Sequence, residues 1–203
     1  MISTDLEKYR NYPSENLPLF YQPFWLDIVA PCKWEIKYIE EQGRLVALMP
    51  LTWSQVHPNK IMMPILTPFL GPYFISELLN KKPTARNSKI HKVLNEFIGA
   101  LPSCKYYEQR WHPKSNMWLP FFWSGFEQTT KYTYVLNIKD SDVVWSNLKS
   151  NIRTDIKKAE SSLEFSVSQN PNDIIKMMEK TFKRQNISFP YERSVLKELV
   201  IKS

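Results

Sequence analysis

Residues Trp145–Ala159 read W-S-N-L-K-S-N-I-R-T-D-I-K-K-A, and the organisation of the chain follows from how this stretch is read. Apolar residues fall at Trp145, Leu148, Ile152, Ile156 and Ala159, the spacing of one buried helical stripe. Lys149, Arg153 and Lys157 follow at four-residue intervals, with Lys158 beside the last. On a helix such side chains stand over one another, so the spacing predicts a ridge of cations along the apolar stripe. Stacked like charges repel by roughly 0.2–0.5 kcal/mol per pair unless an anion answers them. Two readings stay open: a solvated face beside a core stripe, or an anion site in a cleft between domains.

Working outward, Tyr132–Ile138 alternates as a strand. Asp140 or Ser141 can cap the helix, and acidic Asp142 lies in its first turn, where the helix dipole favours it. Downstream, Leu163–Ser168 reads as a short strand. Asn170-Pro171 opens a helix carrying Ile174, Ile175, Met178 and Phe182, and after Pro190 a last helix spans Tyr191–Ile201.

The first part of the chain begins with a polar stretch and a short helix ahead of Pro18. Phe20-Tyr21-Gln22-Pro23-Phe24-Trp25 then leads into a helical turn, with Pro23 suited to its first position. These aromatics can anchor a core or, beside Gln22, wall a ligand pocket. Trp34–Glu40, the turn Glu41-Gln42-Gly43 and Arg44–Trp53 form a hairpin. Lys60–Leu66 is extended and enters the proline-rich loop Thr67-Pro68-Phe69-Leu70-Gly71-Pro72-Tyr73, where Gly71 allows a tight path. Lys81, Lys82 and Pro83 mark an exposed link to a helix over 84–101, apolar at Ile90, Val93, Leu94, Phe97 and Ile98. Cys104–Trp111 reads as a strand, followed by a short helix over Asn116–Ser124 that Gly125 ends. That strand sets Tyr106, Glu108, Arg110 and His112 on one face, either as half of an internal ion pair or as a polar cleft wall.

The chain has 203 residues, a net charge of +7, and fifteen prolines against four glycines. An excess of cations favours an anionic partner: nucleic acid, a nucleotide-linked sugar or an anionic membrane surface. No apolar run is long enough to span a membrane and the N-terminus lacks a signal-peptide core, so a cytoplasmic location is the expectation. Cys32 and Cys104 read as reduced, buried thiols. His57, His91 and His112 lack metal-pair spacing, so no metal is expected. Neither a Walker loop nor a dinucleotide fingerprint occurs.

Taken in order, Phe20-x-Gln22-x-x-Trp25, the strand Tyr132–Ile138, Trp145-x-x-Leu148, Asn151-x-Arg153-x-x-Ile156-Lys157-Lys158-Ala159-Glu160 and Thr181-x-x-Arg184 resemble the FemAB-like branch of the GNAT-fold acyltransferases. The resemblance implies an α/β (α+β) fold, with a mixed, mostly antiparallel sheet flanked by helices and two such domains in tandem. Residues 1–138 match a first domain, 139–163 a connecting amphipathic helix, and 164–203 the incomplete start of a second. It implies transfer of an acyl or aminoacyl group to an amine in cell-envelope polysaccharide or peptidoglycan synthesis, from acyl-CoA or aminoacyl-tRNA. Tyr21, Gln22, Trp25, Arg110, Arg153 and Lys157 become candidate contacts to an anionic acceptor or donor, with no general base assigned. tRNA is a further possible partner. Val29 stands where the cross-bridge enzymes carry a lysine, and Phe189 about where they carry an arginine. The glycine-rich donor loop has no counterpart, so the donor-binding half is expected in a missing downstream domain. The alternative is a non-catalytic GNAT-like module for an anionic ligand or protein partner, which requires the C-terminal helices to fold back onto the first domain.

Overall fold

The computed structural model describes residues 2–80, 82–113, 115–164 and 166–203. Lys81 of the expected link and Phe165 of the expected strand Leu163–Ser168 lie outside the described residues. The fold is mixed α and β, with a mostly antiparallel open sheet. It divides into two compact units, Met1–Gln128 with Ser188–Ser203, and Thr129–Ile187.

The first unit is built on the hairpin of β2 (Trp34–Glu41) and β3 (Arg44–Thr52). Gln42 and Gly43 both take left-handed backbone angles, φ 52° and 75°. Those angles define the two-residue turn that matches strand twist. β1 (Ile2–Ser3) and β5 (Tyr73–Phe74) flank the pair, giving the order β1-β2-β3-β5. β4 (Lys60–Ile61) and β6 (Tyr106–Tyr107) form a separate parallel pair. The longer strands expected over 60–66 and 104–111 therefore shrink to two residues each. Beyond them single backbone bonds replace a ladder, as from Met62 to the Thr52 carbonyl and from Glu108 to the Ile61 carbonyl.

Both faces of the sheet are covered, which is why β3 reads as a nearly continuous apolar run. On one face Ala47, Met49 and Leu51 pack against Ile90, Val93, Leu94 and Phe97 of α4 (Pro83–Gly99). On the other, Trp34, Ile36, Tyr38, Leu45 and Leu48 meet Tyr9 of α1 (Leu6–Arg10) and Leu26 of α2 (Pro23–Val29). Leu45 and Ala47 would share a face in a regular strand. A register shift, in which Ile39 faces Ala47 but Glu40 faces Leu45, leaves Val46 as the extra residue and sends Leu45 to the opposite side.

α1 is tied down by charge. Arg10 forks onto the Asp27 carboxylate at 2.5 and 2.6 Å, and the Trp34 indole donates to the same group at 2.9 Å. Partial burial pushes that carboxyl up. The Arg10 and Trp34 hydrogen bonds and the Arg10 and Lys202 charges outweigh it and hold it below the usual range.

α9 (Arg193–Lys202) belongs to this unit, and its Leu199 packs with Trp25, Ile28 and Val29 of α2. The remaining helices here are α3 (Ser76–Leu79) and α5 (Leu119–Trp123), with Gly125 at φ 87° just beyond α5. Of the two thiols, both free, Cys32 is exposed and Cys104 half-buried. The expectation of buried cysteines fails because Cys32 sits in the turn after α2, at φ 56°, rather than on a core face.

The second unit differs most from expectation. The helix read across Trp145–Ala159 is two helices, α6 (Ser141–Asn147) and α7 (Ser150–Ser162). Leu148 and Lys149 between them are extended, at ψ 143° and 147°. Asp140 caps α6 by accepting from the amides of Asp142 and Val143. Asn170 likewise caps α8 (Pro171–Arg184), with Pro171 at its first position. The expected strand Tyr132–Ile138 is not a strand. Its apolar side chains are exposed, Tyr134 completely, because no neighbouring strand pairs with it. The described residues of Leu163–Ser168 also join no ladder, and Val167 is exposed. Ile175 is the one buried residue among those described in this unit.

Candidate functional site

The proline-rich loop after β4 builds one wall of an open cleft of about 480 Å³ in the first unit, lined by Met63–Pro68, Arg110 and Tyr191. Prolines 64, 68 and 72 deny this segment ladder hydrogen bonds, so side chains and isolated amides hold it instead. The Leu70 amide donates to the Arg110 carbonyl at 2.6 Å, and the Arg110 amide reaches Met63 Sδ at 3.3 Å. The Gln109 side chain donates to the Pro50 carbonyl and accepts from the Tyr107 hydroxyl. Arg110 is thus fixed through its backbone on both sides while its side chain is exposed at the cleft. Leu66 in the wall takes a left-handed φ of 57°, a strained choice costing about 1–2 kcal/mol for a side chain of this kind.

The opening aromatic motif backs the loop wall. The buried Trp25 indole donates to the Thr67 hydroxyl at 3.0 Å, and that hydroxyl donates on to the Ile65 carbonyl. Phe20 stands edge-to-face on both Trp25 and Phe69. His112 lies edge-on to Phe69, with centroids 4.6 Å apart, and against Tyr73. The arrangement offers one exposed guanidinium and an apolar loop wall backed by aromatic rings. It suits a ligand with an anionic group and a flat or apolar body.

The structure brings together only part of the expected set. Arg110 lines this cleft, and Trp25 stands behind its wall, bonded to Thr67. Gln22 reaches back to the Leu17 carbonyl at 3.1 Å and precedes α2. Tyr21 is fully buried among Tyr9, Tyr38 and Leu48, so it is a core residue rather than a wall. Its hydroxyl alone, among the described buried side-chain polar atoms, has no hydrogen-bond partner. Tyr21→Phe is therefore expected to leave the urea midpoint unchanged or raise stability by up to about 1 kcal/mol. A loss of more than that would give the hydroxyl a role it lacks here.

The cationic ridge does not form as expected. Lys149 precedes α7 as its N-cap, off the face shared by Arg153 and Lys157. Arg153 donates to the Ser146 carbonyl at 3.0 Å, satisfying an orphan acceptor at the end of α6 and joining the two helices. Lys157 is exposed on the same helix.

Sequence reasoning missed Met63–Pro68 and Tyr191 as cleft residues; the only local signal was the density of prolines. Glu108 turned out to accept from Tyr106. Val29 is buried against Leu199, and Phe189 stands edge-on to Tyr191, so both positions serve apolar packing. Among the described residues no group of three or more His, Cys, Asp and Glu side chains could hold a metal ion, and no helix is long and apolar enough to cross a membrane. Comparisons of the chain with family models, with curated proteins and with solved structures find no match.

Proposed function

We propose that this chain supplies the acceptor-binding part of a FemAB-like N-acyltransferase acting in cell-envelope polysaccharide or peptidoglycan synthesis. The observation that carries the reading is the cleft of Met63–Pro68, Arg110 and Tyr191, whose wall residue Thr67 is bonded to the Trp25 that ends the opening motif. In this reaction an acceptor amine loses a proton to a side chain or water and attacks the acyl carbonyl. A C–N bond forms and the bond to the carrier breaks, releasing the thiol of acyl-CoA or the terminal hydroxyl of the tRNA. Donor amides stabilise the oxyanion. Arg110 holds the acceptor's anionic group, and the loop wall orients its body.

Gly43 lies in a hairpin turn, Gly71 in the cleft loop, Gly99 at the end of α4 and Gly125 after α5. None lies at the start of a helix where a pyrophosphate could be cradled, so no donor site is assigned among these residues. Apolar packing at Val29 and Phe189 supports an acceptor other than a muramyl peptide. One observation favours the second reading, a non-catalytic module for an anionic ligand: α9 returns to cover α2 through Leu199.

Calorimetric titration with UDP-N-acetylglucosamine and with pyrophosphate tests the site. Arg110→Ala is expected to weaken binding by about tenfold or more, since hydrogen bonds to a charged group contribute about 1.5–3 kcal/mol. Arg110→Lys should fall between, lacking the planar fork. Equal affinity in all three proteins would remove the cleft from the function.

A further inference from the structure

We propose that α5, with the adjoining face of α4, docks on an anionic lipid bilayer. α5 reads L-P-F-F-W, and its five side chains divide between two destinations. Pro120 and Phe121 turn inward, and Phe121 joins the core beside α4. Leu119, Phe122 and Trp123 turn outward, exposed to 48%, 56% and 63%. Core packing explains the first pair and leaves the second group unexplained. Three large apolar side chains on one short helix are an uncommon thing to leave in water.

The surroundings select the partner. Trp123 packs against His91 of α4 with ring centres 5.3 Å apart, so the indole is held at the surface rather than swinging free. Beside it a shallow hollow of about 330 Å³ is lined by Asn87, Ser88, His91, Met117 and Leu119, polar on the α4 side and apolar on the other. The outward face of α4 continues through Thr84, the exposed Lys92 and Asn95, with the half-buried Glu96 one turn after Lys92. From Lys82 to Asn95 the sequence carries three lysines and one arginine and no carboxylate before Glu96. Some of those cations are engaged, Lys89 with Glu41 and Arg86 with the Leu79 carbonyl. Lys82 and Lys92 are exposed.

A Trp, Phe and Leu wedge next to a polar, cationic face matches the two layers of a membrane interface. Aromatic rings enter the headgroup–acyl boundary, while lysines stay at the level of anionic headgroups. Charge complementarity decides against a neutral surface, since anionic lipid attracts clustered Lys and Arg. This surface is separate from the cleft at Arg110, and the proposal does not depend on the acyltransferase reading.

Co-sedimentation of the whole chain with phosphatidylcholine vesicles, with and without phosphatidylglycerol, tests it. Binding is expected only when phosphatidylglycerol is present, weakening as salt rises. Phe122→Ser with Trp123→Ser is expected to reduce it by about tenfold or more, and Lys92→Glu to reduce it severalfold. All three positions are exposed, so the urea midpoint should fall only by the loss of the ring contacts of Phe122 with Trp118 and Trp123 with His91, and the variants stay folded under the conditions of the assay. Wild-type protein that stays in the supernatant with anionic vesicles overturns the proposal, as does binding that survives the paired variant. Self-association that the paired variant abolishes, without vesicle binding, reassigns the patch to a contact between copies and overturns it too.

Discussion

Gly71→Ala is expected to destabilise the protein by about 3 kcal/mol in urea unfolding and to loosen the cleft as it does so. Two independent penalties act at this position. Its φ of 109° lies where only glycine is comfortable, which costs a side-chain-bearing residue about 1–3 kcal/mol. A Cβ placed there would also stand 2.7 Å from Cδ1 of Trp111 and 3.1 Å from its Nε1. Trp111 is not free to withdraw, because it packs edge-on against Phe121 at 5.0 Å. Overfilling such a site costs about 1–3 kcal/mol more. Leu70 and Arg110, whose backbones are bonded to each other, flank the two clashing residues in sequence, so the strain is delivered at the cleft. Gly43→Ala separates the terms. Gly43 also has positive φ, at 75°, but no atom lies within 4 Å of its would-be Cβ. It should lose only about 1–2 kcal/mol. If the two alanine variants unfold together, the contact with Trp111 is not what makes Gly71 necessary.

Trp25→Ala should have the largest effect of any substitution in the opening motif, about 3–5 kcal/mol. Trp25 is 7% exposed and joins three things at once. It packs on Phe20, it shares a cluster with Leu199 of α9, and it donates to Thr67 in the cleft wall. Truncation leaves a cavity beneath the wall and removes the donor to a buried hydroxyl. Trp25→Phe keeps most of the ring volume and loses chiefly the N–H. Thr67 still donates to Ile65, so this variant should lose only about 1 kcal/mol. Urea unfolding of both variants measures the split. A Trp25→Ala loss below about 1.5 kcal/mol would show that α2, α9 and the wall do not depend on this residue.

Much of the first unit is legible in the sequence because its signals are local. Gln42-Gly43 between two apolar runs specifies a tight hairpin turn whatever surrounds it, and the 3.6-residue period at Ile90, Val93, Leu94 and Phe97 specifies α4. Pro23 here, and Asp140 and Asn170-Pro171 in the second unit, mark helix starts through the chemistry of their own few residues. Gly71 could be singled out from its proline-rich neighbours, but not the Trp111 ring that makes it indispensable.

The candidate site was legible only in fragments. Trp25 and Arg110 are 85 positions apart (110 minus 25), and only folding ties both to one loop, Trp25 through Thr67 and Arg110 through Met63. Tyr21 and Gln22 sit beside Trp25 in sequence yet point elsewhere, since adjacent residues on a 3-10 turn and a helix start face different directions.

What the sequence by itself determined is where short-range chemistry is sufficient: the turn, the caps, the helical stripes and the cationic bias. The tertiary structure decided everything that needs a distant partner. Tyr132–Ile138 has the composition of a strand and is not one, because a strand exists only by pairing. Val46 inserts a bulge that no local pattern announces. The apolar period from Trp145 to Ala159 runs straight across a break at Leu148 and Lys149, so spacing predicted one ridge where the fold has two helices joined by Arg153. Periodicity reports which residues could share a face. Only backbone angles fixed by the rest of the chain decide whether they do.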